Sequence, residues 1–236
     1  MIETPRLSLP LLQAAQAQKH ITLNESLVRL DGLTQLVLNS VGSIVPPGLA
    51  TDGDCFAVPV GATNAWAGKD GHVAVYSNGG WIFIMPKAGW RAWISDTSSS
   101  ALFDGANWIV GAVAVSPNGA AMVHEVIETD HFVSSGATSI AVGAIPGASI
   151  VFGVTGRVTQ TMGGTLTGWQ LGVAGTINRY GSNLGVQAGN WVRGLTGTPV
   201  TYFDPEDLIL TAEGADFVDG SVRLAVSLMR LSLPNT

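Results

Sequence analysis

The apolar positions change period along the chain. Pro5 and Pro10 hold the first residues extended, because proline fixes φ and lacks a backbone amide. Gln13-Ala14-Ala15-Gln16-Ala17-Gln18-Lys19 has high helix propensity. Thr22-Leu23-Asn24-Glu25 fits a capping box, with the Thr22 hydroxyl and the Glu25 carboxylate satisfying free amides at a helix start. Leu23, Leu27, Leu30, Thr34 and Val37 then recur at alternating spacings of four and three, which makes one stripe on a helix. The stripe has two readings. One is an amphipathic helix packed on its own domain. The other is a short oligomerisation neck formed by Leu23, Leu27, Leu30 and Val37.

Pro46-Pro47-Gly48 breaks the helical pattern, and alternation takes over. Cys55–Val60, His72–Tyr76, Trp81–Met85 and Ala92–Ile94 read as short strands, with the Ser77-Asn78-Gly79-Gly80 turn as a strong hairpin signal. Trp66, Trp81, Trp90, Trp93 and Trp108 fall in this region and read as core and hairpin packing. Ser116-Pro117-Asn118-Gly119 is a turn among small residues and reads as a connector. Beyond it, Thr138–Val142, Ser149–Val154, Thr167–Val173, Leu208–Ala212 and Ser221–Leu228 are the clearest strands, separated by Gly-rich turns.

The expected fold is mainly β. It has an extended and helical attachment or oligomerisation segment over 1–45 and a small Trp-rich antiparallel β domain over 46–112. A linker over 113–124 and a C-terminal β-sandwich of jelly-roll type over 125–236 follow.

Composition sharpens this picture in two ways. Only 12% of residues are charged and 30 are glycine, so the surface is neutral and rich in turns, suited to close subunit packing and to contact with sugars. The net charge of -6, with basic residues scattered, disfavours nucleic acid as a partner. Cys55 is the single cysteine, which rules out an intrachain disulfide and a multi-cysteine zinc site. No apolar run reaches the length of a membrane span, and the start of the chain lacks a secretory pattern. Synthesis in the cytoplasm and release by lysis are therefore expected.

Several stretches carry a resemblance. Thr4-Pro5-Arg6-Leu7, Ala14-Ala15-Gln16-Ala17-Gln18-Lys19-His20, Leu23-Asn24-Glu25, Trp66-Ala67-Gly68, Trp81-Ile82-Phe83, Gly89-Trp90 and Asp104-Gly105-Ala106-Asn107-Trp108 are among them. On these the first 110 residues resemble a domain family of unassigned function in tailed-phage, prophage and gene-transfer-agent proteins of alphaproteobacteria. Gly156-Arg157-Val158-Thr159, Asn178-Arg179-Tyr180-Gly181 and Gly220-Ser221-Val222-Arg223 are similar to the β domain often appended to that family. The resemblance implies a spike or fibre component that attaches a phage-like particle to capsule or other surface polysaccharide. It brings no catalytic residues and no cofactor with it. Expected partners are further copies of the chain, most simply a trimer, other spike or fibre proteins, and cell-surface polysaccharide.

Sugar binding in water uses flat aromatic faces, with amides, carboxylates and arginine supplying oriented hydrogen bonds. In the C-terminal half Trp169, Tyr180, Trp191 and Tyr202 are candidate platforms, and Asn178, Arg179 and Asn183 are candidate donors and acceptors. Trp169 reads more readily as core, because it lies on an alternating strand. Glycan hydrolysis needs two carboxyl groups flanking a bond. Glu125, Glu128 and Asp130 form one cluster, and Asp204, Glu206 and Asp207 another that reads as a solvated turn with a helix start. His124 and His131 would face opposite sides of a strand, which argues against a shared metal. Ser134-Ser135 has no neighbouring histidine in sequence, so a nucleophile reading fails. The chain is expected to be non-enzymatic. A purely structural connector and a capsule depolymerase are the alternatives.

Overall fold

The computed structural model describes residues 3–12 and 19–234; Gln13–Gln18 of the helix-prone run lie outside them. The chain divides into two compact units, one reaching Ala121 and one over Met122–Leu233. No helix among the described residues is long and apolar enough to cross a membrane.

In the first unit α1 spans Lys19–Leu33. Thr22 lies inside this helix rather than at its cap, and its carbonyl accepts from the Ser26 hydroxyl at 2.9 Å. The helix stops before the expected stripe is complete, because Gln35 turns left-handed with φ 51°. Val37 therefore belongs to strand β1, Val37–Leu38. Strands β2 (Cys55–Ala57), β3 (Val73–Ser77) and β4 (Gly80–Ile84) form one antiparallel sheet. Asn78 and Gly79 both take positive φ in the β3–β4 hairpin, the geometry an Asn-Gly pair adopts most easily. A second sheet joins β1 to β5 (Arg91–Ile94), β6 (Ser99–Phe103) and β7 (Trp108–Val110).

The described residues among the first 45 pack into the first unit rather than standing apart. Asp31, buried on α1, accepts hydrogen bonds from the Thr4 hydroxyl at 2.7 Å and the Leu7 amide at 2.6 Å. The Arg6 guanidinium donates to the Gly32 carbonyl at 2.8 Å. Leu36 and Leu38 join Cys55, Val73, Val75 and Ile94 in one core. Burial pushes the Cys55 thiol up to about 11, so it stays protonated and packs as a small apolar group.

The expected linker is also regular structure. Strand β8 covers Ala112–Val115, a turn closes with the Ser116 amide on the Ala120 carbonyl, and β9 runs Ala121–Phe132. The second unit continues with β10 (Thr138–Ile145), β11 (Ser149–Gln160), β12 (Gly168–Val173), β13 (Thr176–Leu184), β14 (Trp191–Tyr202), β15 (Glu206–Glu213) and β16 (Ser221–Leu231). One antiparallel sheet has the order β10-β15-β12-β13, and the other runs β14-β11-β16-β9 within this unit. Apart from the β12–β13 hairpin, consecutive strands alternate between sheets. That is the strand order of a jelly roll. Glu206 opens β15, so the expected helix start at Asp204–Asp207 is a strand start instead. Trp169, Leu171, Leu208, Leu210, Val154 and Leu224 fill the space between the sheets.

Candidate functional site

Strand pairing in the second unit assembles side chains from four strands into one outward grid. Trp191 on β14 lies opposite Arg157 on β11, Arg157 opposite Arg223 on β16, and Arg223 opposite Asp130 on β9. Two residues along, Arg193, Thr155, Ala225 and Glu128 stand side by side in the same way. Their chain neighbours Val192, Val154, Val222 and Leu224 are buried, and alternation sends the grid residues to the other face. Thr155 and Ala225 are small, while Trp191 and the arginines around them are large. The difference in height leaves an open groove of about 510 Å³. With strands about 4.8 Å apart, the row from Trp191 to Asp130 is about 14 Å long.

Gly156 lies between the outward-facing Thr155 and Arg157, so its missing side chain is on the core face beneath the groove. A Cβ there would lie 2.8 Å from Leu224 Cδ2 and 2.9 Å from the Arg223 carbonyl oxygen, so a larger residue would push β11 off β16.

The charges of the groove are arranged unevenly. Arg223 donates to both carboxylate oxygens of Asp130 at 2.7 Å and lies 3.6 Å from Glu128. The hydrogen bonds from Arg223 hold the Asp130 carboxyl below the usual carboxylate range, so it is ionised and a poor proton donor. Asp130 in turn raises the Arg223 guanidinium above its ordinary value. Arg157 donates through Nη1 to the Gly189 carbonyl at 3.0 Å. The Arg193 guanidinium lies 5.3 Å from the centre of the Trp191 ring, a cation–π contact that orients both. Trp191 itself is 59% exposed.

The other expected sugar-binding residues lie elsewhere. Trp169 is fully buried, with its indole N–H donated to the Gly185 carbonyl at 3.0 Å, so the core reading holds and it offers no platform. Tyr180 and Tyr202 are also core; their hydroxyls meet at 2.9 Å. Burial, and then the Tyr202 hydroxyl, push the Tyr180 phenol well above its ordinary range. Asn178, Arg179 and Asn183 are on β13, in the opposite sheet from Trp191. Asn178 and Asn183 are exposed there, and Arg179 is half-buried with a bond to the Thr176 hydroxyl at 3.2 Å. Trp191 alone of the expected set lines the groove. Arg157, Arg193 and Arg223 were not expected in it.

The remaining clusters separate on the same strands. Glu125 points away from Glu128 and Asp130 and pairs with Arg230. His124 packs beside Phe152, while His131 faces the other side and meets the Ser139 hydroxyl at 2.7 Å. The Ser134 hydroxyl is 3.1 Å from the same Ser139 oxygen. His131, three residues before Ser134 in sequence, is thus linked to it only through the Ser139 hydroxyl. Ser139, however, is buried, and burial lowers the His131 pKa. No group of three or more potential metal ligands occurs among the described residues.

In the first unit, Trp66 is buried and Trp81 packs against Phe56, Trp66 and Tyr76. Trp90 and Trp108 are half-buried against the core. Trp93 departs from the expected packing at 48% exposed.

Residues 23–109, less than half of the chain, match a family described as "Protein of unknown function (DUF2793)". No curated protein matches the chain. Among solved structures, a chain described as "Cyanophage Pam1 capsid asymmetric unit" is similar at 24% identity. It covers 50% of this chain and 91% of its own length, with a TM-score of 0.33.

Proposed function

We propose that the chain is a non-enzymatic spike or fibre component of a phage-like particle, and that the groove beside Trp191 holds a segment of cell-surface polysaccharide. The observation that carries the binding reading is the exposed indole at one end of an open groove, ringed by arginine donors. A sugar ring can stack its apolar face on the indole while its hydroxyls meet guanidinium and carboxylate groups. The particle context is supported by the residues that resemble phage and gene-transfer-agent proteins. Synthesis in the cytoplasm and release with the particle belong to the same reading. Repeated display on a self-associated spike would raise avidity without a tighter single site.

Asp130 is unsuited to the acid role of a glycosidase. A glycosidase acid needs a raised pKa, and this carboxyl is held ionised by Arg223. The competing reading, a structural connector, is favoured by Leu195, Val126 and Phe152. These apolar residues are exposed further along the same strands.

A panel of purified bacterial capsular and surface polysaccharides, immobilised and exposed to the full chain, tests the proposal. Retention on at least one polysaccharide, with no new reducing ends released, is the expected result. Retention on none would leave the connector reading in its place, and release of reducing ends would make the chain a depolymerase.

A further inference from the structure

The groove is basic although the chain is acidic. Against a net charge of -6 for the whole chain, the lining contains Arg157, Arg193 and Arg223 and the single carboxylate Glu128. Arg223 is engaged by Asp130 and Glu128. Among the described residues, no carboxylate pairs with Arg157 or Arg193; the ion pairs involve Arg223 and Arg230 instead. Arg157 commits Nη1 to a backbone carbonyl, which leaves its other N–H donors free. Arg193 commits its face to Trp191 and keeps its edge. Two cations without counter-charges therefore flank the aromatic platform, and the two acids sit at the far end of the row, on β9.

Guanidinium groups match carboxylates and phosphates through paired, charge-assisted hydrogen bonds. Building on the polysaccharide reading, we infer that the groove selects an acidic saccharide. Its carboxylate or phosphate group is held by Arg157 and Arg193, and its ring stacks on Trp191. Glu128 and Asp130 disfavour an anion at the β9 end, which orients the chain of sugars along the row. A neutral saccharide would leave both arginines without a charged partner and gain only the stacking.

The test uses the full chain and each polysaccharide of the panel in three forms: native, carboxyl-reduced with carbodiimide and borohydride, and dephosphorylated with aqueous hydrofluoric acid. The polysaccharides retained are expected to be acidic, and one of the two treatments should weaken retention at least about tenfold, identifying which anion is read. The Arg157→Gln/Arg193→Gln double variant should lose as much while melting like the wild type. Raising salt from 0.15 to 1 M shortens the screening length from about 8 to about 3 Å and should weaken native binding alone. Arg193→Gln by itself keeps the comparison readable if loss of the Arg157–Gly189 bond disturbs folding. Binding that survives both treatments and the arginine changes overturns the acidic specificity and leaves the polysaccharide reading standing. Retention of no polysaccharide overturns both.

Discussion

Tyr180 and Trp191 lie on consecutive strands of opposite sheets and have opposite fates. Tyr180 is buried and its hydroxyl meets that of Tyr202, whereas Trp191 stands exposed over a groove. Both sit among glycines and polar residues, so composition around them does not separate core from surface. Trp169 was more legible, because the apolar residues alternating around it already marked a buried strand face. The distinction has a direct consequence. Tyr180→Phe removes one hydroxyl of a buried pair and leaves the Tyr202 oxygen without that partner. It should cost about 1–2 kcal/mol in urea denaturation and leave polysaccharide retention unchanged. Unchanged stability would mean that the two hydroxyls are solvated, contrary to their burial.

Among the elements, α1 departs furthest from its expected form. The four-and-three stripe placed Leu23, Leu27, Leu30 and Val37 on one helical face, but Val37 left the helix for β1. The face that packs inward carries Val28, Asp31 and Gly32, all buried, and Gly32 lies close against Val75. Leu23 and Leu30 remain 46% and 52% exposed. Of the two sequence readings, own-domain packing therefore uses a different face from the leucine stripe. Exposed leucines at that spacing suit a second copy of the same helix, which supports self-association. Light scattering at micromolar concentration should give an oligomer, and Leu23→Lys/Leu30→Lys should shift it to monomer. A wild-type monomer would remove the helix as an oligomerisation element.

Strands were readable where apolar alternation was clean. Strand β16, with Val222, Leu224, Val226 and Leu228 all buried, is the clearest case. The start of strand β9 was hard to place, because its outward positions His124, Glu128 and Asp130 interrupt the apolar alternation. Strand β14 was missed because Gly194, Gly197 and Pro199 look like turn residues. In the fold, Gly194 lies against the Tyr180 backbone, where a side chain would not fit. The residues that broke the alternation thus mark the close packing of the second unit and the polar face of its groove.

For the whole molecule, a small β domain followed by a β-sandwich was visible in the change of period and in the regular strand spacing, whereas the membership of α1 in the first unit was not. The boundary at Ala121/Met122 falls within the expected 113–124 connector, and its Ser116–Gly119 turn is present, but strands β8 and β9 flank that turn where a linker was expected. The groove was invisible for a different reason. Trp191, Arg157, Arg223 and Asp130 are far apart in sequence and become neighbours only through antiparallel register. A sequence places each on an alternating strand; only the pairing makes them a row.

In the proposed function, this row binds polysaccharide through Trp191. Calorimetric titration of the best-retained polysaccharide into Trp191→Ala and Trp93→Ala chains tests it most directly. Both indoles are about half exposed, so neither change should unfold the protein, and they lie in different units. Trp191→Ala should weaken binding about tenfold or more, and Trp93→Ala should bind like the wild type. Wild-type affinity in Trp191→Ala, or a loss confined to Trp93→Ala, would contradict the account.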